Sequence, residues 1–89
     1  MANEATPFAA SETARPVKRS FTIAGHKTSV SLESAFWAAL REAASREGLT
    51  LAGLVQRVDS ARGRAGLSSA LRVWLLAEAQ RRTQLPPEI

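Results

Sequence analysis

Arg15, Lys18, Arg19 and Lys27 are the only fully charged side chains between positions 15 and 32, and all four are positive. An acid-free basic stretch of this kind attracts polyanions, nucleic acid first and an anionic membrane surface second. Acid–base chemistry has far less to work with. His26 is the single histidine, and cysteine and tyrosine are absent, so no metal cluster assembles around His26 within one chain and thiolate chemistry is excluded. Glu42 and Glu47 lie five positions apart on a helix-forming run, which places them on its outer surface and not in a carboxylate pair. The stretch Arg62-Gly63-Arg64-Ala65-Gly66 lacks the Gly-Lys-Ser/Thr that closes a phosphate loop. The chain is expected to bind without catalysing, and to need no cofactor or metal.

The element that positions Lys27 is legible in the alternation that follows it. Thr28, Val30 and Leu32 fall on one face of an extended segment, and Lys27, Ser29 and Ser31 fall on the other. The β-branched and hydroxyl-rich run 20–32 therefore reads as a strand with one wet face. Ala24-Gly25 either kinks the chain or reverses it, so 21–23 is a separate short strand or a lead-in. A lone strand leaves its backbone donors and acceptors unpaired. Two partners are open, a hairpin within 20–32 or the same segment of a twin chain across a two-fold axis, and the twin is the expectation.

Helical spacing takes over after Glu33. The run 33–47 sets Phe36, Trp37, Leu40, Ala43 and Ala44 on one side, and Gly48 supplies the stop. Thr50 suits the cap of a second helix with the stripe Leu51, Leu54, Val55 and Val58. The glycines at 63 and 66 break the pattern, and Ser68 or Ser69 is the expected cap of a third helix running to about Arg82. Flanking leucines make Phe36, Trp37, Leu40 and Trp74 core residues before any of their rings is a base-stacking platform. The run Val73-Trp74-Leu75-Leu76 covers most of a helix circumference, so this helix is expected to be buried on two sides, the second by another subunit. Arg72 opposes the dipole of its first turns and calls for an anion: Glu33, Asp59 or a phosphate, with a structural ion pair the favoured one.

Length limits the chain of 89 residues to one domain. Residues 1–16 read as a flexible arm, 17–83 as the folded domain, and 84–89, with two prolines, as a tail. The net charge of +4 understates the domain, since positions 15–82 hold twelve bases and five acids, or +7. A core this small is marginal alone, and no disulfide is available to staple it, which favours self-association. No apolar run approaches the roughly 18 residues of a membrane span, and the first residues lack a secretory pattern. The expected location is the cytoplasm, associated with the nucleoid. The fold class expected is mostly α with one short N-terminal strand.

The stretches His26-Lys27-Thr28-Ser29-Val30-Ser31-Leu32-Glu33, Trp37, Gly48-Leu49-Thr50-Leu51 and Leu67-Ser68-Ser69-Ala70-Leu71-Arg72-Val73 resemble a bacterial ribbon-helix-helix domain of the Arc/MetJ-like kind. The likeness covers about 18–82 and is nearest to a branch with a third helix. It implies an intertwined homodimer whose two-stranded antiparallel ribbon enters the major groove, as β-strand readers of DNA do. Carried over by position, the base-reading residues are Lys27, Ser29 and Ser31. Lys18, Arg19, His26, Thr50, Arg62 and Arg64 are the candidates for DNA-backbone contact. Dimer and core positions are Thr28, Val30, Leu32, Phe36, Trp37, Leu40, Leu54, Val58, Leu71, Trp74 and Leu75. The function this implies is sequence-specific binding of double-stranded DNA by a transcriptional repressor, with further assembly on DNA open. The alternative is an antitoxin-like protein-interaction module in which DNA binding is secondary, and a membrane-surface role is the weakest.

Overall fold

A computed structural model describes residues 14–83 of the chain. Most of the expected arm 1–16, and the whole of the tail 84–89, therefore lie outside the described residues. The order is β1 (Pro16–Ile23), β2 (His26–Glu33), α1 (Ser34–Glu47), α2 (Leu51–Ala61) and α3 (Leu67–Thr83).

The two strands form an antiparallel hairpin within one chain, paired from Pro16↔Glu33 to Ile23↔His26. This corrects two expectations: there are two strands where one was foreseen, and β2 pairs with β1 and not with the same segment of a twin. The physical cause is the connection. Ala24 has φ 52° and Gly25 φ 83°, and positive φ at both central residues marks the type I′ turn whose twist matches a tight hairpin. Glycine accepts that geometry freely, whereas alanine does so at a cost of about 1–2 kcal/mol, which is why Ala24-Gly25 is a weak turn signal. β1 is hard to see for a second reason. Its inward positions are Val17, Arg19, Phe21 and Ile23, and Arg19 interrupts the apolar alternation. Pro16 sits at the first residue of the strand, where its missing N–H costs the ladder least.

The helices follow their capping chemistry. Gly48 closes α1 at φ 70°, its N–H bonded to the carbonyl of Ser45. Two residues later the Thr50 hydroxyl accepts from the Gly53 N–H at 3.0 Å and opens α2. Arg57 reaches back across this corner to Glu47 at 2.9 Å, an exposed pair of small energetic weight. α3 begins at Leu67, ahead of the serines expected to cap it. Ser68 and Ser69 are thus inside its first turn, and the Ala70 N–H already bonds the Gly66 carbonyl.

The core sits beneath the hairpin and between the helices. Ile23, Val30 and Leu32 point down from the sheet onto Trp37, Leu40, Ala43 and Ala44 of α1, Leu54, Val55 and Val58 of α2, and Leu71 and Leu75 of α3. Thr28, Phe36 and Trp74 are half-buried at its margin. Among the described residues no polar or charged side chain is buried, so the interior rests on apolar packing, about 1.5–3 kcal/mol for each large side chain. Trp37 is the pin between sheet and helix. Its indole N–H donates to the Val17 carbonyl at 2.9 Å, and Phe21 lies against its ring with centroids 5.9 Å apart. α3 packs only one side: Val73 is 65% and Leu76 58% exposed.

Candidate nucleic-acid interface

Strand periodicity splits the hairpin into two faces, and the core claims one of them. Lys27, Ser29 and Ser31 are exposed on the other, while Val30 and Leu32 are buried beneath. The register brings β1 residues alongside: Lys18 lies opposite Ser31, Ser20 opposite Ser29, and Thr22 opposite Lys27. All three β1 residues are also exposed. Ser20 and Thr22 are the members of this face that sequence reasoning missed. Their signal was present in the alternation 18, 20, 22, but it could be used only once β1 was known to pair with β2.

The face carries two ammonium groups and four hydroxyls and no carboxylate. Glu33, the one acid of the hairpin, is held elsewhere. Its carboxylate receives the Arg72 Nε–H at 3.1 Å and a second Arg72 N–H at 3.2 Å. These bonds, helped by its own backbone N–H, hold the Glu33 carboxyl below its ordinary range despite some loss of hydration. Arg72 thus finds its anion in Glu33, and its guanidinium also lies over the Phe36 ring at 5.7 Å. Asp59 pairs instead with Arg62 at 2.7 Å.

The candidate phosphate contacts are not gathered in one place. Lys18 stands on the open face, but Arg19 occupies an inward register position opposite Val30 and lays its guanidinium over Trp37 at 5.4 Å from the ring centroid. His26 is exposed beside the turn. Thr50 lies at the start of α2 and Arg62 just past its end, about 18 Å away at 1.5 Å per residue. Arg62 is engaged within its own loop by Asp59 and by the Ala65 carbonyl, whereas Arg64 is exposed. The structure therefore unites the strand residues and distributes the others along separate elements. Among the described residues no group of three or more His, Cys, Asp or Glu side chains is placed to hold a metal.

A hairpin with an open polar face, followed by two helices joined at a tight capped corner, is matched by the family model of the ribbon-helix-helix domain over residues 16–79. The chain belongs to the ribbon-helix-helix family. Among solved structures this domain is similar to an uncharacterized protein from Bordetella pertussis Tohama I, with 30% sequence identity and a TM-score of 0.73 over 96% of this chain and 74% of that one. No curated protein matches it. Ribbon-helix-helix domains are generally non-catalytic, typically bind DNA, and typically do so as dimers. None of the helices described in this one is long and apolar enough to cross a membrane.

Proposed function

We propose that this ribbon-helix-helix domain binds double-stranded DNA sequence-specifically and regulates transcription by occupying an operator. The observation that carries the reading is the outer face of the hairpin: exposed, hydroxyl-rich, positive, and with the one acid of the two strands engaged by Arg72. The major groove admits a two-stranded ribbon, and each base pair presents a distinct edge there. In this chain the ribbon comes from a single protomer. Lys27 donates to base acceptors, and Ser29 and Ser31 either donate or accept. Lys18, His26, Thr50 and Arg64 supply phosphate contacts, with Arg19 and Arg62 as cations already braced by Trp37 and Asp59. The location that fits this role is the cytoplasm, at the nucleoid.

The functional unit in this reading is a homodimer. Its contact is the exposed side of α3, where Val73 and Leu76 stand beside a groove rimmed by Glu42, Arg46, Glu78 and Arg82. A two-fold contact sets the same patch against itself, and a rim with both charge signs satisfies that requirement where a single sign would repel.

Fluorescence anisotropy with labelled duplex DNA over a salt series tests the DNA reading. For about six neutralised phosphates, log affinity falls against log salt with a slope near −5. Lys27→Glu abolishes binding with the fold intact, since the side chain is exposed. Absence of binding at low salt, or a flat salt response, overturns the assignment. Survival of binding in Lys27→Glu shows that the face is wrongly chosen.

A further inference from the structure

A second groove runs between α2 and α3, apart from the hairpin face. It holds about 570 Å³, with apolar walls from Val58 and Ala61 on α2 and from Ala70, Val73, Trp74 and Ala77 on α3. That volume is within the range of small-molecule sites, which are mostly apolar with a few placed polar groups. The polar side chains lining it are Arg57, Arg62 and Ser69, Trp74 adds an indole N–H, and no carboxylate is among them. Guanidinium and indole groups only donate hydrogen bonds. The Trp37 indole N–H is taken by the Val17 carbonyl, whereas the Trp74 indole N–H meets no acceptor among the described residues. Arg57 gives one N–H to Glu47, and Arg62 gives its Nε–H to Asp59 and one terminal N–H to the Ala65 carbonyl. A guanidinium carries five N–H donors. Both arginines therefore keep donors in reserve, and the acids that brace them are not part of the groove lining.

We propose that the α2–α3 groove is a binding site for a small aromatic carboxylate, with its ring against Trp74 and its carboxylate held by Arg62. Donor-only polar groups select a ligand rich in acceptors, and a carboxylate matches the planar guanidinium fork better than a neutral carbonyl does. Arg62 is the main anchor. Its side chain is 34% exposed against 52% for Arg57, and its two existing bonds fix its plane, which lowers the ordering cost of binding. Alanine at 61, 70 and 77 leaves room beside Trp74, and an aromatic ring uses that room by offset or edge-on contact with the indole. Val73 lines this groove and also the one assigned above to the second copy, so an occupant adjoins the dimer contact. The site itself needs neither DNA nor dimer, because every group in it belongs to one chain.

The two tryptophans of the chain give two indole N–H signals in a proton–nitrogen correlation spectrum, one from the core and one from the groove. Titration of the full-length protein with β-naphthoate tests the site, with Trp74→Phe assigning the signals. The expected result is a saturating shift of the Trp74 signal with a Kd of about 1 mM or tighter, while Trp37 stays in place. β-Naphthylmethanol keeps the rings and lacks the charge, and it is expected to bind about tenfold more weakly, as is β-naphthoate to Arg62→Gln. Ala61→Leu, at an exposed position, fills the groove and removes the shift with the circular dichroism spectrum unchanged. Four outcomes overturn the proposal. They are a shift that fails to saturate or moves both tryptophans alike, equal affinity for carboxylate and alcohol or for Arg62→Gln and the unaltered protein, octanoate binding as tightly as β-naphthoate, and a Trp74 signal that moves with protein concentration alone, which marks the groove as covered by a second copy. No DNA is present, so none of these results bears on the DNA-binding reading.

Discussion

Ala24 decides how the chain is paired, and it is the least comfortable residue in the hairpin. A non-glycine residue at φ 52° is strained, whereas asparagine visits that region with its side chain bonded locally. Ala24→Asn creates the Asn-Gly dipeptide favoured by this turn and is expected to stabilise the domain by about 1 kcal/mol. For a domain of this size that raises the melting temperature by roughly 4–8 °C, as thermal unfolding followed by circular dichroism will show. A melting point unchanged or lowered contradicts the turn assignment. At this scale the sequence was partly readable. The alternation of Thr28, Val30 and Leu32 against Lys27, Ser29 and Ser31 identified β2 and its open face. Arg19 concealed β1, because an arginine looks polar in sequence even where, as here, an exposed side chain at an inward register position lays its guanidinium over Trp37.

Between elements, the bond from Glu33 at the end of β2 to Arg72 on α3 is the polar tie that complements the apolar packing. Glu33 is the cap position of α1, yet its side chain makes no cap hydrogen bond and is turned to the guanidinium instead. Since its carboxyl is held below the ordinary range by Arg72, linkage fixes the sign. The contribution is present above the unfolded-state value and is lost as pH falls through the lower folded-state value. Urea unfolding of Glu33→Gln beside the unaltered protein is expected to show the variant less stable at pH 7 and the two converging in acid, as pH falls below the ordinary glutamate range. An equal gap at both pH values removes the ion pair from the account. The pairing of Arg72 with an acid was foreseeable from its unfavourable place in the helix dipole, but Glu33 was one of three candidates, and only the packing of α3 beside β2 selects it. Helix positions were the most legible part, because Gly48 and Thr50 carry their capping chemistry in their own side chains or lack of one. The start of α3 was less so, since Gly66 allows the helix to open one turn position before the serines.

For the whole molecule, the deciding contact is the one that covers α3. Val73 and Leu76 are the large apolar residues left exposed among those described. If a second copy covers them, light scattering gives about twice the chain mass of 9.6 kDa, and Val73→Glu combined with Leu76→Glu halves it while the helical spectrum is retained. An unaltered protein of single-chain mass defeats the proposed dimer contact without touching the hairpin face. The hairpin forms without that dimer, since β1 pairs one edge of β2 within the chain and leaves the other edge open. Sequence alone determined the charge balance, the Gly48 stop of α1, the Thr50 cap of α2, and which side of β2 faces water, because each follows from residue type and local period. Tertiary structure decided the partner of β2, the anion of Arg72, and the company of Lys27 on the open face. Those depend on chain reversal at Ala24-Gly25 and on contacts between distant segments, and a local pattern has no access to either.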